Sequence, residues 1–294
     1  MKKILLLFVL TLYLFGCSFE RKPNEKEMIS VSLVPQKYFV EQIVGDDFDI
    51  HIVIPPGASH AEFDPTPSDL AKITKSVAYF CMGNIGFEHH LVHRISELHP
   101  ESQFFDLSKN VFLIDAAPHR RGDHQHYNHN NKDSHTWMSA RNGKIIAQNI
   151  YDAVSQLKPE RKSFYQENLI RFQQSLDSLD NVTRQKLSHL STRAFVIFHP
   201  ALTYYAENYD LEQIPLEIDG KEPSVTWMSQ VVKMIEERNV KLVFTQGEYS
   251  QASAKAIAET TNIELQEINP LSENWKEEFE LITNIIAEKM GSEE

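Results

Sequence analysis

Two α/β lobes, each built on a mostly parallel sheet and joined by one long helix, are the architecture this sequence predicts. Three observations carry the prediction. Short β-branched runs alternate with longer amphipathic ones, the pattern of strand–helix–strand units. The alternation stops in the middle of the chain, where 159–190 has no glycine and no proline after Pro159. It then resumes. The 294 residues are 41% hydrophobic and 24% charged, too apolar for disorder and long enough for one large or two medium cores.

The chain opens on Lys2 and Lys3, an apolar run over 4–15 and then Gly16-Cys17. A charged start before a short apolar run is a secretory signal, and it falls short of the about 20 residues that a bilayer span requires. The residues Leu14-Phe15-Gly16-Cys17 resemble a bacterial lipoprotein box, in which the cysteine is acylated after cleavage. The reading is a signal peptide over 1–16 and a lipidated tether over 17–28. An ordinary signal cleaved nearby, with Cys17 incidental, is the alternative.

Strands are predicted at 29–34, 49–54, 77–82, 194–198, 241–245 and 264–268. Helices are predicted at 37–44, 68–76, 87–98, 140–157, 201–209, 227–238, 253–261 and 275–290. Ser68 heads the second of these helices, with Asp69 in its first turn. Across 159–190, apolar residues recur at Phe164, Leu169, Phe172, Leu176, Leu179, Val182 and Leu187 at a spacing of three to four. One helix of about 30 residues follows, roughly 45 Å long at ~1.5 Å per residue. It is either a surface helix of one domain or a spine between an N-terminal lobe (29–158) and a C-terminal lobe (191–294). Such a spine would limit hinge closure between the lobes.

Composition removes several functions. With 41 acidic against 29 basic side chains and a formal charge of −12, the chain lacks the basic surface that nucleic acid requires. Two cysteines, Cys17 and Cys81, cannot build a disulfide framework or a cysteine-based zinc site. Cys81 reads as a buried, small apolar residue in a strand. Thirteen histidines remain, so transition-metal chemistry must use imidazole and carboxylate.

Three of those histidines occupy similar places. His60 lies between a strand and the helix at 68–76, His135 immediately before the helix at 140, and His199 between a strand and a helix. Ligands of open α/β sheets bind outside the carboxyl ends of the strands. Two of these histidines come from the first half of the chain and one from the second, so they can meet across an interlobe cleft as three neutral donors for Zn²⁺. Aromatic and proline neighbours (Phe63, Pro65, Trp137, Pro200, Tyr204, Tyr205) would wall such a site. The segment 119–133 is polar and His-rich and reads as a loop. His119, His124, His126 and His129 in it are either a low-affinity zinc collector or a solvated stretch with incidental affinity. His89 and His93, at i and i+4 of one helix, lack the glutamate of a metalloprotease motif and read as a surface patch.

These residues resemble the extracytoplasmic metal-binding receptors of zinc and manganese ABC importers (the TroA-like family), from about Ile29 to the C-terminus. GASHAEFDPTPSDL at 57–70 is similar to the first ligand loop, and GNIGFE at 83–88 to the segment after the next strand. DSHTWMS at 133–139 and HPALTYYAENYDL at 199–211 are similar to the second and third ligand motifs. VKLVFTQGEYS at 240–250 is similar to a later strand and its loop, and INPLSENW at 268–275 to the last ligand loop. A histidine-rich insert before the second ligand is typical of the zinc branch. The resemblance implies two α/β lobes, a metal held by His60, His135 and His199, and delivery to an ABC permease and its ATPase by a monomer anchored through Cys17.

Two departures stand out. The family's first histidine sits two residues before the aromatic of its loop, where this chain has Ala61; His60 sits three before Phe63. The family's last loop often supplies an acidic fourth ligand, where this chain has neutral Asn269. Glu273, Gln246, Glu248 and Glu62 are the other candidate fourth or supporting donors, and three histidines with a water complete the simplest shell. A set without carboxylate suits Zn²⁺ better than the harder Mn²⁺. On the residues alone, a zinc-dependent hydrolase using the same three histidines and a surface adhesin lipoprotein stay open as alternatives.

Overall fold

The computed structural model describes residues 26–60, 63–116, 132–218 and 221–291. The signal segment, Cys17 and the tether up to residue 25, Glu62, and the four loop histidines from His119 to His129 lie outside the described residues.

Two four-stranded sheets, parallel in every pairing, organise the chain. The first runs in the order β2-β1-β3-β4, with β1 Glu27–Val31, β2 Phe48–Ile52, β3 Ala78–Cys81 and β4 Phe104–Asp106. The second repeats it as β6-β5-β7-β8, with β5 Ala194–Ile197, β6 Glu212–Pro215, β7 Val243–Gln246 and β8 Leu265–Ile268. Every residue of β3, β5 and β7 is buried, because helices cover both faces of a parallel sheet. The edge strands β4 and β6 are absent from the sequence prediction. One has three residues and the other reads Glu-Gln-Ile-Pro, so neither has an apolar period, and edge pairing alone makes them strands.

The helices are α1 Val34–Val44, α2 Pro67–Lys75, α3 Glu88–Leu98, α4 Ala140–Leu157, α5 Lys162–Lys186, α6 Thr203–Asn208, α7 Val225–Glu237, α8 Ala252–Thr261 and α9 Trp275–Met290. Thr66, and not Ser68, caps α2: its hydroxyl accepts from Asp69 N–H, and the Asp69 carboxylate accepts from Thr66 N–H at 2.9 Å. The capping box moves the cap two residues and starts the helix one residue early. The long central helix is α over its 25 residues of α5 and continues as single 3₁₀ turns at Pro159–Arg161 and Leu187–His189.

Tyr165, Leu169, Phe172, Leu176 and Leu179 of α5 are buried against α1 and α4. Gly143 permits the approach: a Cβ there would stand 3.2 Å from Phe39 and 3.4 Å from Leu176. Val182, predicted on the buried stripe, is 46% exposed, and its neighbour Thr183 turns inward to meet Thr283 at 3.5 Å. The 3.6-residue period drifts off a fixed seam over a helix this long.

The two sheets share one core. Phe39 of α1 stacks on Trp275 of α9 with centroids 4.8 Å apart, Trp275 lies 5.3 Å from Phe279, and Phe279 lies 5.0 Å from Tyr205. Two indoles cross the same joint: Trp137 Nε1–H donates to Pro270 O at 2.9 Å, and Trp275 Nε1–H to Trp137 O at 3.0 Å. Burying about 200 Å² of one indole is worth on the order of 5 kcal/mol, so this joint opposes any opening of the lobes.

At the carboxyl end of the first sheet, Glu88 is buried beneath the loop that follows β3. Its oxygens accept from Met82 N–H at 2.8 Å, Gly83 N–H at 2.7 Å and the Ser32 hydroxyl, which in turn accepts from Tyr79 at 2.6 Å. Burial pushes the carboxyl up to about 7 despite these donors. A folded value above the ordinary 4.5 means stability is whole below about pH 4.5 and is lost as pH rises to about 7, by on the order of 3 kcal/mol. Glu88→Gln should be less stable at low pH and should lose that decline; urea midpoints across the range test it, and an unaltered slope would refute the assignment.

Candidate metal centre

Each histidine reaches the interlobe cleft from a different kind of element. His60 lies in the loop between β2 and α2, whose start is tied to β1 through Val53 N–H to Val31 O and Ile54 N–H to Ser32 O. His135 precedes α4, which Ser139 caps through Asn142 N–H at 3.1 Å. His199 lies two residues after the end of β5, beside the point where the order of the second sheet reverses. That is where the general rule for α/β sheets puts a ligand.

One candidate donor atom from each of His60, His135 and His199 lies within 4.8 Å of the others, and all three side chains are buried. Among the described residues this is the one group of three or more histidine, cysteine or acidic side chains so arranged. The Nε2 atoms of His135 and His199 are 3.1 Å apart, close to the about 3.3 Å between two nitrogens bound at 2.0–2.1 Å with tetrahedral angles.

Carboxylates hold two of the rings from behind. Asp133 Oδ1 accepts both His135 Nδ1–H and His135 N–H at 2.8 Å, and its Oδ2 accepts from Thr203 at 2.6 Å. Glu217, two residues after the end of β6, accepts His199 Nδ1–H at 2.9 Å. With each Nδ1 directed at a carboxylate, both Nε2 atoms face the same point of the cleft, where a shared cation would accept a lone pair from each. Carboxylate–histidine–metal relays have this form. Trp137 floors the site 5.1 Å from the His135 ring and 6.1 Å from the His60 ring. Tyr249 stacks on His199 at 4.7 Å.

Burial pushes Asp133 upward, yet the facing His135 ring and the hydrogen bonds it receives hold it below the ordinary carboxylate value. Burial likewise keeps Glu248, half-buried beside Tyr249, above the ordinary value, against the pull of His135.

The other predicted donors are employed elsewhere. Gln246 spends both ends of its amide on the backbone of His199, accepting from its N–H at 3.2 Å and donating to its carbonyl at 2.7 Å. Asn269 accepts from Leu271 N–H at 3.1 Å and shapes the turn before α9. Glu273 is exposed and pairs with Lys37. Gln246 is thus a support of His199 through its backbone, Asn269 and Glu273 have their partners outside the ring cluster, and among the described residues Glu248 is the candidate left near the cleft. His89 and His93 lie exposed on α3, as a surface patch does.

Asp133 and Glu217 were missed from the sequence. Asp133 stands two residues before His135, and that spacing was a usable signal. Glu217 had none, since it meets His199 only across the β5–β6 pairing.

A sequence model of the family described as the periplasmic component A of the zinc-uptake complex, ZnuA, matches residues 29–288. The chain belongs to that family. It is 24% identical over 295 residues to the zinc-binding lipoprotein AdcA of Streptococcus pneumoniae R6, covering 98% of this chain and 59% of AdcA. The chain therefore spans about three-fifths of the length of that relative. It is 24% identical over 278 residues to the metal ABC transporter substrate-binding lipoprotein SloC of Streptococcus mutans, covering 90% and 88% of the two chains. A ZnuA deletion mutant solved with zinc bound superposes with a TM-score of 0.83 at 27% identity, covering 92% of this chain and all of that one.

Burial drives His60 well below its ordinary value, and the neighbouring rings of His135 and His199 add to the shift; burial also lowers His199 against the opposing bond from Glu217. Rings neutral in the folded protein gain protons on unfolding. Metal-free stability from this source is therefore whole above about pH 6.5 and falls as pH drops below it. His60→Gln should flatten the fall of the urea midpoint between about pH 6.5 and 5; a slope equal to that of the unmodified chain would contradict the burial argument.

Proposed function

We propose that this chain is the extracytoplasmic zinc receptor of an ABC-type importer, capturing Zn²⁺ in the interlobe cleft and handing it to the permease. The observation that carries the reading is the convergence of three buried imidazoles from both lobes, two of them braced by carboxylates. His60, His135 and His199 are the proposed ligands, exchanging their lone pairs for waters of the hydrated ion. A water or the Glu248 carboxylate takes the fourth place. Asp133 and Glu217 orient their rings and add negative charge behind neutral donors, which favours a dication while keeping the donor set nitrogen-based. That choice suits Zn²⁺ over Mn²⁺.

The family is a binding component of an uptake complex, so the hydrolase alternative gains nothing from it. Solved laminin-binding relatives, at 22% identity or less, share the fold alone. Acylation at Cys17 would keep the receptor beside its permease, and a monomer suffices because both lobes of one chain build the site.

Calorimetric zinc titration of the detergent-solubilised full chain tests the reading. One tight site should disappear in His199→Ala and persist when 119–130 is deleted. Tight binding that survives His199→Ala and vanishes with the deletion would replace the cleft receptor with a histidine-loop scavenger. Asp133→Asn and Glu217→Gln should each weaken zinc about 10–100-fold without unfolding the chain; unchanged affinity would remove their orienting role.

A further inference from the structure

The three rings are not held alike. His135 and His199 are braced from behind: each Nδ1 is bonded to a buried carboxylate, and the two Nε2 atoms face each other at 3.1 Å. Each is also tied down through its backbone, His135 N–H by Asp133 and both polar atoms of His199 by Gln246. Thr203, four residues after His199, bonds the same Asp133 carboxylate that carries His135, so the pair is locked across the lobes.

His60 has none of this bracing. Its Nδ1 is buried without a hydrogen-bond partner; among the described residues its ring packs edge-on to His135 at 4.8 Å, to His199 at 5.3 Å and to Trp137 at 6.1 Å, and the loop beside it is tied across the cleft by the Ser59 hydroxyl bonding Tyr249 at 3.4 Å. The loop that carries it is exposed at Pro55, Pro56 and Gly57. Gly57 has φ +81° with open space around it, and one backbone bond, Ala58 N–H to Pro55 O at 3.2 Å, closes the turn.

We propose that zinc first docks on the preset His135–His199 pair, and that His60 is the last ligand to engage and the first to leave. The inference rests on the zinc reading above and adds an order to it. A hydrated ion gives up two waters to the paired Nε2 atoms, whose geometry needs little adjustment, and any proton lodged between them departs to solvent. The His60 ring then displaces a third water by a small movement of its own loop. Release reverses the order: a water replaces His60, and an ion held by two nitrogens and otherwise by water is what a permease would draw from the cleft. Preorganised donors set the capture rate, and a donor that joins after capture affects the lifetime of the complex.

Stopped-flow mixing of the full chain with Zn²⁺ alone, read by tryptophan fluorescence through Trp137 and by chelator competition, separates the two. His60→Ala should associate with zinc at the unmodified rate and lose affinity by faster dissociation. His199→Ala should slow association by about tenfold or more. His60→Gln, which keeps the loop polar, should repeat the His60→Ala result and guards against a folding defect. Association slowed as much by both His60 variants as by His199→Ala, or no zinc capture in either His60 variant, would overturn the order. If the unmodified chain itself shows no tight zinc site, the receptor reading fails instead, so the two failures are distinguishable.

Discussion

The joint between the lobes is the constraint on which the site depends. Trp137 lies two residues after His135, and its indole and carbonyl are both bonded into the turn and first residue of α9. Whatever holds Trp137 therefore holds His135 relative to the second sheet, and the second sheet carries His199. Phe39, Phe172, Trp275, Phe279 and Tyr205 continue this contact into a core shared by both halves. A close-packed interior does not deform gradually, so the 3.1 Å between the two imidazoles is a property of the core as much as of the cleft. Lobes that swung freely about a hinge would have to rebuild that distance at each closure.

With the lobes fixed, selectivity falls to the immediate surroundings of the rings. Asp133 and Glu217 are both buried and both spend an oxygen on a ring nitrogen. They supply charge to the cleft without becoming donors themselves. The rings point their lone pairs inward as a result, and an apolar wall of Trp137 and Tyr249 limits the freedom to reorient. A hard ion that prefers oxygen finds few donors here, while a borderline ion finds three nitrogens. The departure at the last loop fits the same scheme: Asn269 and Pro270, where relatives of this type often place an acid, serve the turn that receives Trp137.

The departure at the first loop has a matching consequence. Moving the histidine one position earlier, to His60, puts it at the end of an exposed Pro-Pro-Gly turn and away from any bonding partner for Nδ1. The rest of the first lobe is firmly built: Glu88, Ser32 and Tyr79 tie the loop after β3 to the sheet, and Phe87 at its end lies 5.7 Å from Phe63, three residues after His60.

The sequence by itself determined the alternation of strands and helices, the long central helix and the kind of donor available, because hydrophobic period, turn residues and residue chemistry are written locally along the chain. It also pointed to His60, His135 and His199, since each sits in a short loop ahead of a helix with aromatic or proline neighbours. It did not reveal β4 and β6, whose few residues become strands only by pairing at an edge, nor the inward turn of Thr183. Nor could it sort the fourth-donor candidates: Gln246, Asn269 and Glu273 have suitable chemistry, and only packing shows that their polar atoms are already taken. Glu217 and the reciprocal bonds of Trp137 and Trp275, 138 residues apart, belong to the same class. Which donors converge, and which are braced, is decided by contacts between distant segments, and those exist only once the shared core has brought the two sheets together.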